Sequence, residues 1–245
     1  MKEKEIKKGY DLIAKSYHLH RTKKNTGWFF NELLEMPATL ELLGNVQGKK
    51  ILDWGCGTGI YTKLLDEKGA KVKGFDISEE MIKIAKQENP KLDLRVGSGL
   101  KIPFKEKFDI VVASLAILYI KNQNKLFKEI SRILKKGGYF IFSIGNPVGM
   151  SKKAIKCGKK KIYILDDYFN ERKIYGTFNF GDKKVKIPAY HKTYETIIKT
   201  IIKNDFEIVN YKDAYPIKKA KKLFPEFYKE YTNVPFFCVW KVRKK

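Results

Sequence analysis

Apolar residues recur along this chain with two different periods, and the alternation between them predicts the architecture. In residues 1–20, Ile6, Tyr10, Ile13, Ala14 and Tyr17 fall at i, i+4, i+7, i+8 and i+11, one face of a helix with a charged start. Residues 28–43 read as a second helical stretch, divided at Pro37, because proline suits a first helical turn and breaks an interior. Lys50–Trp54 reads as a first strand, and residues 59–67 as a helix that Gly69 stops. A second strand, 72–75, ends in Asp76. Ser78 then caps a helix whose first turn carries Glu79 and Glu80. Pro90 marks a loop, and 92–96 is a third strand. Phe108–Ala113, apolar apart from Asp109, suits a strand in a sheet buried on both faces. Residues 125–134 read as a helix, ended by Lys135-Lys136-Gly137-Gly138, and 139–144 as a fifth strand.

After Pro147 the pattern changes. Residues 148–192 hold a basic run, Lys159-Lys160-Lys161, and then a hairpin with arms at Lys173–Phe180 and 183–187, joined by the two-residue turn Gly181-Asp182. This stretch reads as an inserted lid. Residues 193–203 are helical in pattern, 206–211 form a sixth strand, 212–233 read as irregular and Lys-rich, and 236–242 as a last strand. Strands alternating with helices predict a parallel sheet covered on both faces. Right-handed crossovers then place a ligand at the carboxyl ends of the strands. Those ends carry Asp53, Asp76, the run Val96-Gly97-Ser98-Gly99, Ala113-Ser114 and the run Ser143-Ile144-Gly145-Asn146.

Composition narrows the class. A chain of 245 residues, 43% hydrophobic and 32% charged, can bury a core of one large domain with elaborations. Cys56, Cys157 and Cys238 are far apart and form no CxxC pair, which disfavours a disulfide framework or a zinc site and suits a reducing cytoplasm. No metal is expected. No apolar run is long enough to span a bilayer, and the start MKEKEIKK lacks a signal-peptide core. The formal net charge of +24 would attract nucleic acid, anionic membrane or acidic substrates. Yet nearly all the cations are lysine, with arginine only at 21, 95, 132, 172 and 243, and phosphate or base readout favours the arginine fork. The lysines are spread over the whole chain, so biased composition accounts for much of the charge.

The densest chemistry lies in Ile51–Gly59, ILDWGCGTG. A strand end, Asp53, and alternate glycines at 55, 57 and 59 lead into a helix. Glycines bring backbone close to a ligand, and a helix start offers free N–H groups. An ordinary strand-to-helix turn would use the same residues. The spacing is not that of a dinucleotide fingerprint, whose sixth position would be Ile60. Asp76, 23 residues after Asp53, can accept both hydroxyls of a ribose; since Ser78 already fills the cap role, the ribose role is favoured over a turn carboxylate. Ile77 and Met81 would flank an adenine, or simply belong to the core.

With Asp53 two residues ahead of Gly55-Cys56-Gly57-Thr58-Gly59, this stretch resembles motif I of the class I S-adenosylmethionine methyltransferases. GFDISEEMIKIA is similar to their second motif. VGSGLKIPF followed by FDIVVASLAILYI resembles the third and fourth motifs of the Methyltransf_11 type, related to the ubiquinone and menaquinone methyltransferases. YDLIAKSY, ISRILKKGGYFIFS and IPAYHKTYETIIKTIIKNDFEIVNY resemble further segments of that group. The resemblance runs from about Tyr10 to Tyr211. It implies an α/β Rossmann-like fold with a seven-stranded, mostly parallel sheet whose last strand is antiparallel, helices on both faces, an N-terminal helical cap over 1–48 and the lid over 148–192, all in one domain. It implies S-adenosyl-L-methionine as cofactor, held by Asp53, Gly55, Cys56, Gly57, Asp76, Ile77, Met81, Ser98, Gly99, Ser114 and Leu115. The acceptor pocket would draw on Tyr10, Tyr17, Tyr119, Asn146 and His191.

The chain departs from that group in places. Ser98 stands where many relatives have Asp, Leu118 where the branch shows His, Asn146 before Pro147 where it shows His, and Lys192 where it shows Arg. No NPPY or DPPY run follows the fourth strand, which argues against methylation of a base amino group. His191, between lid and helix, is the candidate general base, though an ordinary hydrogen-bonded histidine fits the sequence as well. The expectation is methyl transfer to a small-molecule acceptor by direct in-line displacement. An RNA methyltransferase and a non-catalytic S-adenosylmethionine-binding protein are the alternatives. The acceptor and the oligomeric state are not fixed by sequence.

Overall fold

The computed structural model describes residues 2–23, 28–157, 160–180 and 183–245. Helix α1 spans Lys2–Thr22; a π-helical segment, Phe29–Glu35, runs directly into α2, Met36–Leu43, with Pro37 in its first turn. Then follow β1 (Lys50–Trp54), α3 (Ile60–Glu67), β2 (Lys71–Asp76), α4 (Glu79–Glu88), β3 (Asp93–Val96), β4 (Phe108–Ala113), a 3-10 turn at Ile117–Tyr119, α5 (Gln123–Ile133) and β5 (Leu134–Gly145). The remainder is α6 (Pro147–Met150), β6 (Lys152–Cys157), β7 (Lys160–Leu165), β8 (Lys173–Phe180), β9 (Lys183–Tyr190), α7 (Tyr194–Lys203), β10 (Phe206–Asp213), α8 (Lys218–Leu223), α9 (Pro225–Tyr231) and β11 (Phe237–Lys244).

Seven strands form one sheet in the order β10-β11-β5-β4-β1-β2-β3. The pairs among β5, β4, β1, β2 and β3 are parallel, and β11 is antiparallel to both of its neighbours. The central strands are buried on both faces, so successive side chains enter different cores. Leu52, Trp54, Val111 and Ala113 join the cluster that includes Phe127, Phe140 and Phe142. Ile51, Ile110 and Val112 join the opposite cluster with Phe29, Leu34 and Leu65. Helix α5 shows how the first face closes. The Asn122 side chain accepts the Lys125 N–H as N-cap, and Leu126, Phe127, Ile130 and Ile133 are buried at helical spacing. The Phe127 ring then meets Phe140, Phe142 and Phe206 edge-on.

The N-terminal helix lies across the carboxyl ends of the strands, against α4 and β9. Its buried Ile6 and Ile13 pack with Val185 and Ile187 of β9. Residues 148–192 hold two antiparallel ribbons, β6–β7 and β8–β9, where one hairpin was expected, and β9 continues to Tyr190. The turn at Gly181-Asp182 and Lys159 lie outside the described residues. Residues 212–233, expected to be irregular, contain α8 and α9. Each is short, and only Ala220 is buried, so neither carries an amphipathic signal strong enough to read. Among the described residues no helix is long and apolar enough to cross a membrane, and no three His, Cys, Asp or Glu side chains group as metal ligands.

Candidate functional site

A cavity of about 510 Å³ opens where β1, β2, β4 and β5 end, beneath α1 and the β8–β9 ribbon. Its floor is the glycine bend. Gly55, Gly57 and Gly59 all have positive φ, 75°, 54° and 78°, which a residue with Cβ adopts only under strain. A Cβ on Gly55 would come within 2.6 Å of Ala116, whereas the space beside Gly57 is open. The bend is fastened to β2, because Gly55 N–H and Cys56 N–H both donate to the Phe75 carbonyl at 2.9 and 3.0 Å.

Asp76 lines this cavity at the tip of β2. Its Oδ2 accepts Gly57 N–H at 3.0 Å and its Oδ1 accepts Ser78 N–H at 2.9 Å, so one carboxylate bridges the glycine bend and the start of α4. Enclosure raises its pKa, against the pull of those backbone donors, which favour the charged form. Ser78 acts as the N-cap of α4, accepting Met81 N–H at 3.1 Å, and its hydroxyl donates to Asp11 of α1 at 2.6 Å. The cap expected from sequence therefore also ties down the helix that roofs the cavity. Ile77, Met81, Gly97, Gly99, Ser114 and Leu115 complete the lower walls. Gly99 presses on Trp54: a Cβ there would lie 2.0 Å from the indole ring.

Four expected site residues stand outside the cavity lining. Asp53 is 1% exposed beneath the bend, where its Oδ2 accepts the Thr62 hydroxyl at 2.6 Å. Burial pushes its pKa up to about 7. Cys56 is buried with Ile82, Ala85 and Leu94, and burial raises its thiol pKa. The Ser98 hydroxyl donates to Glu3 at 2.7 Å and accepts Leu100 N–H, so it closes the loop onto α1. Asn146 is consumed as the N-cap of α6: Oδ1 accepts from Val148 and Gly149, and Nδ2 donates to Asp213 at 2.7 Å. A polar residue after a strand can serve its own turn as readily as a ligand, and for Asn146 the turn won.

The roof is aromatic. The hydroxyls of Tyr10 and Tyr119 lie 2.5 Å apart, and the Tyr10 ring meets Tyr17 and Tyr119 edge-on and Phe178 at a tilt. Burial raises the pKa of both Tyr10 and Tyr119, so these phenols are neutral donors rather than bases. His191 is also in the wall, 3% exposed. Its Nε2 donates to the Tyr168 carbonyl at 2.7 Å, and its enclosed Nδ1 has no hydrogen-bond partner among the described residues. This places the ring as a brace between the lid and α7, with neither nitrogen offered freely to the cavity.

Three charged residues of the site were missed by the sequence reading. Arg21, at the end of α1, lines the cavity and donates through Nε and Nη2 to Glu32 Oε1 at 2.9 and 2.6 Å. Burial raises the Glu32 pKa, and Arg21 opposes that rise. Glu35, fully buried, accepts the Thr39 hydroxyl at 2.7 Å and the Ser114 hydroxyl at 2.9 Å. Their signal was in the sequence: two glutamates three apart inside the apolar run WFFNELLEM, and one of only five arginines.

Taken together, an acid at the second strand tip, open backbone beside it, an enclosed ion pair and apolar walls suit a nucleoside carrying an amino-acid tail. Comparisons with known proteins agree. Residues 52–142 match the model of a methyltransferase domain family, Methyltransf_11. An uncharacterised protein of Haemophilus influenzae is 33% identical over 230 residues, covering 87% of this chain and 88% of that protein. A demethylmenaquinone methyltransferase of Chlorobaculum parvum is 34% identical over 185 residues, 71% of each chain. The crystal structure of an S-adenosylmethionine-dependent methyltransferase from Mesorhizobium loti superposes with a TM-score of 0.73 at 25% identity, over 86% of this chain and 97% of that one.

Proposed function

The chain belongs to the S-adenosylmethionine-dependent methyltransferases, and on that footing we propose that its acceptor is a small, flat, largely apolar molecule methylated by direct in-line displacement. The observation that carries this is the enclosure of the cavity by α1 and β8–β9, with Phe30, Phe178, Tyr190, Phe236 and Phe237 in its wall. Such walls suit an aromatic ring and leave little room for a polynucleotide. The Chlorobaculum parvum relative, named for a quinone substrate, supports the same class.

The residues present fit the cofactor. Asp76 would hold the ribose, Ile77 and Met81 the adenine, and the Arg21–Glu32 pair, with one charge of each sign, the amino-acid end. S-adenosylmethionine supplies a methyl already activated on a sulfonium, so a C–S bond breaks as the bond to the acceptor forms and the electron pair stays on sulfur. What the chain must add is alignment and exclusion of water. The Tyr10–Tyr119 pair and the apolar roof serve both. Neutral phenols can orient an acceptor oxygen by donation without competing as nucleophiles.

The test is transfer of labelled methyl from S-adenosylmethionine to a panel of phenols, quinols and quinones, with transfer RNA and ribosomal RNA in parallel. Transfer to a ring compound supports the proposal. Transfer to RNA alone, or to no acceptor while S-adenosylhomocysteine binds, overturns it.

A further inference from the structure

The β6–β7 ribbon plays no part in the cavity, yet it is built in an unusual way. Register pairs Ile155 with Ile162 and Lys153 with Ile164, so these four side chains share one face. The other face is held by the body of the protein. There Tyr163 donates its hydroxyl to Glu230, and Lys152 Nζ stands over the rings of Tyr163, Tyr231 and Phe236 at 4.6, 5.0 and 5.5 Å. The ribbon is thereby fixed with its isoleucine face outward. Ile155, Ile162 and Ile164 are 39%, 41% and 41% exposed, and at the ribbon's exit Phe169 is 87% exposed; Leu165 pairs with Lys152 and belongs to the other face. Isolated exposed apolar residues mean nothing, but three isoleucines on one face of a ribbon, with Phe169 at its exit, form a patch.

The charge around that patch is one-sided. Between Pro147 and Leu165 the sequence has six lysines, of which Lys152 is turned to the body, and no aspartate or glutamate; Asp166 and Asp167 follow, with Lys153 facing Asp166 at 3.8 Å. We propose that the β6–β7 ribbon is a docking surface for an anionic lipid bilayer, its isoleucines and Phe169 entering the interface while the flanking lysines meet the headgroups. Apolar insertion and lysine attraction to anionic lipid reinforce one another at such a surface. Two other occupants suit it less. A second copy would bring two lysine clusters together in a chain of net charge +24. A nucleic acid would want arginines or a row of aromatic rings, and the segment has no arginine before Arg172 and mostly aliphatic residues on its outer face.

The experiment uses the full chain and two kinds of vesicle, phosphatidylcholine alone and phosphatidylcholine with equimolar phosphatidylglycerol. An environment-sensitive fluorophore on Cys157 reports insertion, since Cys157 is exposed at the end of β6 while Cys56 and Cys238 are buried. The expected result is cosedimentation with the anionic vesicles only, a blue shift of the label on binding, and a loss of about tenfold or more in binding when salt is raised several-fold. The Ile155→Asp/Ile162→Asp variant should lose cosedimentation to a similar extent while binding S-adenosylhomocysteine like the unaltered chain, which also shows that it is folded. No binding to anionic vesicles overturns the proposal, as does binding that the double substitution leaves unchanged. So does a ribbon-dependent dimer, or ribbon-dependent binding of an RNA oligomer, in a protein that ignores vesicles.

Discussion

The carboxyl of Asp53 sits fully buried beneath the glycine bend with the Thr62 hydroxyl as its hydrogen-bond donor, and that makes it a sensitive probe of the site's foundation. Burial lifts its pKa from 3.8 to about 7. A group whose pKa is higher in the folded state favours folding when protonated. Its contribution is fully present below pH 3.8 and is lost as pH rises through about 7. A tenfold change in proton affinity is worth about 1.4 kcal/mol, so between pH 5 and pH 8 the wild-type chain should lose about 3 kcal/mol from this group alone. Asp53→Asn keeps the shape, and its amide oxygen can still accept from Thr62, but it does not titrate. Carboxylates remote from Asp53 contribute equally to both proteins, so the useful quantity is the difference between them. Urea unfolding of wild type and variant at pH 5 and pH 8 should show the stability gap moving by about 3 kcal/mol in the variant's favour at the higher pH. A gap that stays constant across that range would mean that Asp53 is not a buried, strained carboxylate, and the description of the bend's support would be wrong.

Other consequences can be measured alongside. Asp76→Asn should weaken S-adenosylhomocysteine binding by about 1–3 kcal/mol, roughly 5- to 150-fold by calorimetry, because polar partners lose a charged acceptor; unchanged affinity in a folded variant would remove Asp76 from the ribose role. Arg21→Met alone should destabilise the fold by about 3–5 kcal/mol, leaving the Glu32 carboxylate enclosed without its cation, whereas adding Glu32→Leu should recover much of that loss; equal stability of the single and double variants would contradict the pairing. Gly99→Ala should cost about 1–3 kcal/mol in thermal unfolding, since its Cβ would collide with the Trp54 ring; an unshifted melting temperature would show the contact to be loose.

Much of this was legible in the chain. Strand-and-helix alternation from Lys50 to Ala113 reproduces the observed elements closely, because β1 and β4 are largely apolar on both faces and Ser78 gives α4 a clean cap. The glycine bend and Asp76 were legible for a similar reason: alternate glycines after a strand, with an acid at the next strand's tip, have few other uses. Legibility failed where local and tertiary roles use the same residue types. Asn146 looked like a pocket residue and is a helix cap; Ser98 looked like a cofactor-binding residue and is bonded to Glu3. The β6–β7 ribbon was hidden by its lysines, since KKAIKC reads as a solvated charge run until its register with β7 is known. Arg21 lies at the end of α1 while Glu32 and Glu35 lie in the π-helical segment, and only the fold pairs Arg21 with Glu32 and sets Glu35 against Ser114. His191 was found by position, but its environment, with Nε2 bound to the Tyr168 carbonyl, is one that no spacing rule conveys.

The central claim is that the cofactor's nucleoside lies where β1 and β2 end, between glycine backbone and one acid. A crystal structure of the protein with S-adenosylhomocysteine tests it most directly. The account predicts both ribose hydroxyls within hydrogen-bond distance of the Asp76 carboxylate, the amino-acid end over Gly55–Gly57 toward Arg21, and the adenine between Ile77 and Met81. Density for the ligand elsewhere, or a ribose that turns away from Asp76, would contradict it.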